Sequence, residues 1–131
     1  MIINCCFLVY YYSKLNKFAA VKRKNDAKNA YGFPGGKQEI GESLLDCINR
    51  ECLEEGFIVK GQLFHFYNEN LKNETRYYFT CSNSDAVNIS QQNLQDSAEP
   101  CYIDQESLSV YFDNANVIKE YFSTIYKNLK N

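Results

Sequence analysis

Between Gly32 and Phe57 the chain passes from Gly-Phe-Pro-Gly-Gly-Lys into a helix-forming run that ends Arg50-Glu51-Cys52-Leu53-Glu54-Glu55. No other stretch limits the possible folds so tightly. Pro34-Gly35-Gly36 leaves the backbone bare of side chains, so its N–H and carbonyl groups can come close to another element or to a ligand. The helix is expected over residues 43–55. Ser43 caps its start, and Asp46 three residues on completes a capping-box pattern. Leu44, Ile48 and Cys52 fall at i, i+4 and i+8, giving one apolar stripe that must face a sheet.

The other side of that helix is acidic. Glu51, Glu54 and Glu55 occupy i, i+3 and i+4 and so point the same way, where like charges repel by roughly a few tenths of a kcal/mol per exposed pair. Glu54 and Glu55 also lie in the last turn, where the helix dipole disfavours negative charge. Two readings fit: a solvated acidic face with Arg50 as its ion-pair partner, or a site for a divalent cation, which reverses both unfavourable signs. Mg²⁺ takes carboxylate oxygens and keeps several waters. The bare glycine loop feeding the helix favours a site in which metal and phosphate meet.

The remaining chain supplies strands. Residues 7–12 and 18–22 are expected to form a hairpin, followed by a polar loop over 23–29. Residues 57–67 and 74–81, rich in aromatic and β-branched side chains, read as two more strands, and 101–104 as a short one. Residues 82–99 are a long polar stretch, and Val117, Ile118, Tyr121, Phe122, Ile125, Tyr126 and Leu129 mark a final amphipathic helix capped by Asp113 or Asn114. This order implies an α+β sheet covered by helices. The 131 residues suffice for one domain spanning residues 1–131.

Charge and cysteine usage exclude several classes. A net charge of −2 and a pI near 5.4 argue against gripping a nucleic-acid polymer, while leaving room for a small phosphorylated metabolite. The apolar start, Met1 to Tyr10, lacks a signal peptide's basic region and is too short to span a bilayer, so it reads as a buried strand, with no membrane partner. Six cysteines, with no Cys-x-x-Cys pair and no histidine pair, are expected as free, mostly buried thiols in a reducing cytoplasm. The lone His65, within an expected strand, is read as structural or exposed.

The run from Gly36 to Ile58 resembles the Nudix box, whose pattern is Gly, five residues, Glu, seven residues, Arg-Glu, an aliphatic residue, any residue, Glu-Glu, any residue, Gly, and an aliphatic residue. Gly36, Glu42, Arg50, Glu51, Glu54 and Glu55 fall on their positions. One departure is visible: the final glycine belongs at 57, but this chain has Gly56 and then Phe57. Phenylalanine suits a left-handed helix end poorly, at a cost of ~1–2 kcal/mol, so Gly56 is expected to end the helix one residue early. The resemblance implies the Nudix fold, an α/β/α sandwich with a mixed β-sheet.

It also implies hydrolysis of a nucleoside diphosphate linked to another group, by water attack at phosphorus. By that resemblance Glu51, Glu54 and Glu55, with the Gly35 carbonyl, would hold Mg²⁺ (or Mn²⁺ in its place). Arg50 would orient them and Glu42 would support the network. Lys37 is a candidate phosphate contact, and Asp96 or Glu99, before the last strand, a candidate further carboxylate. The loop around Phe33 is similar to that of the MutT-like branch, which removes oxidised purine nucleoside triphosphates. Arg23 and Asn114 agree with nucleotide-contacting positions of that branch. Phe33, Tyr10 and Tyr12 are candidates to pack on a base, although most aromatic side chains are expected in the core. Dinucleoside polyphosphates, ADP-ribose and RNA 5′ ends are the alternative substrates, and a nucleotide-sensing domain without catalysis the alternative class.

Overall fold

Alternation along the first strand sets the architecture. In the computed structural model, which describes residues 1–23, 31–81, 87–89, 98–108 and 115–127, strand β1 (Ile3–Leu8) sends Cys6 and Leu8 to one side and Cys5 and Phe7 to the other. The chain then crosses between two sheets. Val9 N–H donates to Phe79 O at 2.8 Å, and Tyr10 O accepts from Ala19 N at 2.9 Å, so the buried crossing leaves these backbone groups paired. Strand β2 (Tyr11–Tyr12) then pairs with β3 (Lys17–Arg23) as an antiparallel hairpin. The single strand expected over 7–12 is therefore two strands in two sheets, because both sheets claim hydrogen bonds from Val9 and Tyr10.

The first sheet has the order β5 (Gly35–Lys37), β1, β8 (Glu74–Cys81), β7 (Leu63–Asn70). Strand β1 runs parallel to β8, and the other neighbours are antiparallel, so the sheet is mixed. The second sheet places β3 between β2 and β10 (Ala98–Ile103), with β4 (Tyr31–Gly32) also on β3. A two-stranded ribbon joins β6 (Phe57–Val59) to β9 (Val87–Ile89). The strand expected over 57–67 thus splits at residues 60–62, and its halves join different sheets.

Helices cover both faces. Helix α1 (Leu44–Glu54) buries Cys47, Ile48 and Cys52 against Cys6, Leu8, Tyr10, Val21, Phe57 and Phe79. Ser43 caps it as expected, its hydroxyl accepting from Asp46 N at 3.0 Å. A fully buried side chain of the size of Ile48 contributes roughly 1.5–3 kcal/mol. That outweighs the few tenths of a kcal/mol lost to crowded carboxylates on the outer face, so the helix forms with or without a counter-ion.

On the opposite side, Val117, Ile118 and Tyr121 pack on Phe7, Val9, Phe18 and Phe33. This layer comprises α2 (Gln105–Leu108) and α3 (Ala115–Glu120), which continues as a wider π-type turn over Tyr121–Tyr126. The sequence alone suggests a regular helix there. A π turn rotates each residue less than an α turn, bringing Tyr121, Phe122, Ile125 and Tyr126 onto one face. Phe122 and Tyr126 meet Tyr11 at ring distances of 5.1 and 5.3 Å, while Tyr121 and Phe122 meet Phe18 at 6.0 and 5.8 Å. The result is the α+β arrangement expected, a mixed sheet between helical layers.

Candidate active site

Strand β5 lies at the edge of its sheet, with unpaired groups that need partners. Leu8 N–H donates to Pro34 O and Gln38 N–H to Asn4 O, each at 2.8 Å, so every second residue of this segment bonds β1. Gly35 and Lys37, between those positions, turn their backbone groups outward. Helix α1 meets them there. Gly35 N–H donates to Glu55 Oε1 at 2.7 Å, and Lys37 O accepts from Arg50 Nη2 at 3.0 Å. A side chain cannot replace Gly35: a Cβ would stand 2.0 Å from Cys6 O, at a φ of +155°.

Arg50 ties the acidic residues together. Its guanidinium grips Glu42 in a bidentate pair, with Nε to Oε2 at 2.7 Å and Nη2 to Oε1 at 3.0 Å. Nη1 donates to Glu51 Oε1 at 2.9 Å and to Glu54 Oε2 at 3.2 Å. The crowding read from the sequence is therefore relieved by a cation within the chain, with Glu55 satisfied separately by Gly35 N–H. Among the described residues no three His, Cys, Asp or Glu side chains are gathered as a ready metal cage. The donor set nevertheless suits a hard cation, since it consists of carboxylates beside the outward-facing Gly35 carbonyl. The cradle fits as well: Glu51 lies against Gly36, where a Cβ would come within 2.5 Å of the carboxylate carbon.

The turn before α1 fixes Glu42, and two of its members went unnoticed in the sequence. Glu39 N–H donates to Glu42 Oε1 at 2.9 Å, and Gln38 Nε2 to Glu42 O at 2.6 Å; Gln38 Oε1 in turn accepts from Asn4 Nδ2. Only pairing between β1 and β5 brings Asn4 to Gln38. Hydrogen bonds from Arg50 and from the Glu39 backbone hold the Glu42 carboxyl down at about 2, against an ordinary 4.5. Its stabilising effect is complete above about pH 4.5 and is lost as pH falls through about 2. Glu42→Gln should narrow its gap in melting temperature to the parent chain across that window; a gap independent of pH would contradict the pairing.

Gly56 adopts φ +95° directly after Glu55, the last cap of the helix, and Phe57 begins β6 fully buried. Ending the helix at Gly56 leaves Glu55 aimed at Gly35, 3% exposed.

Other expected site residues are placed less uniformly. Lys37 is exposed at the β5 edge. Phe33 is 2% exposed and packs on Phe18 and Tyr78, at ring distances of 6.1 and 6.3 Å, so its ring serves the core. Tyr10 is likewise buried, and Tyr12 lies against Tyr102. Glu99 stands within β10 itself rather than before it, opposite Lys22 and on the strand face shared with Cys101 and Ile103, which pack into the α3 layer. Arg23 ends β3, its side chain outside the described residues, as are Asp96 and Asn114. His65 is exposed beside Tyr77 and Phe79. All six thiols are free, and burial pushes Cys5, Cys81 and Cys101 up to about 11. Among the described residues no helix is long and apolar enough to cross a membrane.

A mixed sheet between helical layers, with a glycine edge strand docked on an acidic helix through Arg50 and Glu55, defines the class of fold. The chain belongs to the Nudix family, whose domain model matches residues 6–122. Solved structures agree on the fold. One is a MutT described from the fish pathogen Aliivibrio salmonicida and Vibrio cholerae, with 19% identity and a TM-score of 0.69 over 94% of this chain and 98% of that one. Another is a NUDIX hydrolase from Nitrosomonas europaea, with 17% identity and a TM-score of 0.70 over 95% and 91% of the two chains. A third is a MutT NUDIX hydrolase from Burkholderia pseudomallei, with 15% identity and a TM-score of 0.64 over 92% and 96%. No curated protein matches the sequence significantly.

Proposed function

We propose that this chain is a Mg²⁺-dependent hydrolase of nucleoside triphosphates, acting in the manner of the MutT-like branch to give a nucleoside monophosphate and pyrophosphate. The observation that carries the reading is the meeting of Glu42, Glu51 and Glu54 on Arg50 beside the Glu55–Gly35 contact. Glu51, Glu54 and Glu55 with the Gly35 carbonyl are the groups that would hold the cation, which would supply positive charge for the phosphate oxygens. Arg50 keeps the carboxylates oriented and Glu42 keeps Arg50 in place. Water oxygen bonds to one phosphorus of the α–β bridge, the anhydride bond between the α- and β-phosphates breaks, and nucleoside monophosphate and pyrophosphate leave, the water proton passing to solvent. Phosphate charge dominates the barrier, so fixed electrostatics at the β5 edge should supply most of the rate gain.

Purified protein tested with Mg²⁺ on 8-oxo-dGTP, dGTP, ADP-ribose and diadenosine tetraphosphate should hydrolyse the triphosphates best, 8-oxo-dGTP above dGTP. Equal rates on all four would remove the MutT-like assignment while leaving a hydrolase. Nucleotide binding without turnover, in Mg²⁺ or Mn²⁺, would make the chain a sensor instead.

A further inference from the structure

Gln38 fills a position that the family pattern leaves open, among the five residues between Gly36 and Glu42. Strand register gives its side chain a direction. Cys6 pairs with Gly36, and both face α1, where Cys6 Sγ donates to Leu44 O and a Cβ on Gly36 would meet Glu51. Two residues further along this antiparallel pair, Asn4 and Gln38 face the same way. Asn4 holds Gln38 twice: its carbonyl accepts from Gln38 N at 2.8 Å, and its Nδ2 donates to Gln38 Oε1 at 3.1 Å. The other end of the same amide, Nε2, donates to Glu42 O at 2.6 Å.

The turn held by these bonds gains little from packing. Ile40 is fully exposed, the Glu39 side chain is 68% exposed, and a Cβ on Gly41, at φ +82°, would meet nothing within 4 Å. Hydrogen bonds take over the task. Glu42 N donates to Glu39 O at 3.2 Å and Glu39 N to Glu42 Oε1 at 2.9 Å, which closes the turn on itself. Arg50 bonds both of its ends, at Lys37 O and at the Glu42 carboxylate. The Gln38 amide ties the turn to β1.

The position of Glu42 reaches the rest of the site through Arg50, because the same guanidinium donates to Glu51 and Glu54. We propose that Asn4 and Gln38 are positioning residues for the reaction. They hold Glu42 by its backbone while Arg50 holds it by its carboxylate, and so they set the geometry in which Glu51 and Glu54 meet a cation. This assignment rests on the hydrolase reading above. Such a relay need not touch the substrate, since a displacement of about 1 Å at a reacting site can cost about 10²-fold in rate.

The bland alternative is a cross-strand amide pair that steadies the β1–β5 edge and leaves the site alone. Gln38→Leu, Asn4→Ala and the double variant of the full chain separate the two, each compared with the parent well below its melting temperature. The substrate is the triphosphate that the parent hydrolyses fastest. At saturating Mg²⁺, Gln38→Leu should lower kcat about tenfold while KM stays within about twofold, neither residue being placed against the nucleotide. Mn²⁺ titration without nucleotide, read from the electron paramagnetic resonance of the free ion, should show binding weakened about threefold, the relay standing one step further from the cation than Arg50. Asn4 acts through Gln38, so the double variant should lose no more than Gln38→Leu alone.

Lower melting temperatures with the parent's kcat and Mn²⁺ affinity would overturn the proposal, as would losses that add in the double variant. A parent chain that binds Mn²⁺ but hydrolyses no nucleotide would strike the hydrolase reading instead, and the Mn²⁺ series would still test the relay.

Discussion

Glu54→Gln is expected to lower Mg²⁺-dependent hydrolysis by about 10²–10³-fold, the scale on which one preorganised electrostatic group acts, while leaving the fold intact. Glu54 is the last residue of α1, its side chain 37% exposed, and its contact of 3.2 Å is with Arg50 Nη1. Glutamine preserves the shape and an acceptor oxygen but removes the charge that a cation would require. Arg50 would keep its bidentate grip on Glu42 and its bond to Glu51. Removing a negative charge from the last helical turn should if anything stabilise the chain, by about 0.3–1 kcal/mol. Initial rates and thermal melting on the same samples provide the check. A variant with the parent rate would remove Glu54 from the metal site.

Gly35→Ala should destabilise the chain by about 3–5 kcal/mol, a large share of the 5–15 kcal/mol typical of a folded protein. The added Cβ would stand 2.0 Å from Cys6 O and 2.8 Å from Phe7 Cα, both on β1, which is paired on its two sides and cannot yield. The backbone itself, at φ +155°, resists any side chain. Gly36→Ala provides the contrast. Its Cβ would meet the carboxylate of Glu51, the far end of a flexible side chain. That variant should fold with a small loss and instead give up activity as Glu51 is displaced. Denaturant midpoints for both, with rates for the second, test the distinction; equal stability losses would show that the two glycines are not placed as described.

Much of the candidate site's geometry was legible in the sequence. Spacing put Glu51, Glu54 and Glu55 on one side of a helix, because helical geometry is local and repeats every 3.6 residues. Cap chemistry named Ser43, and the departure from the family pattern, with phenylalanine's poor fit to a left-handed helix end, named Gly56 as its stop. Base-contact candidates were less legible. Phe33 carries the same side chain whether it lines a pocket or fills a core, and only packing against Phe18 and Tyr78 decides between them.

Local rules thus determined the acidic helix, the bare glycine turn and the family that this pairing signals. Tertiary structure decided that Val9 and Tyr10 pass the chain between two sheets, that Asn4 and Gln38 fix the turn holding Glu42, and that Tyr78 of β8 donates to Glu69 of β7. The physical reason is that strand pairing joins residues distant in the chain through backbone groups that every residue shares, so side-chain identity says little about the partner.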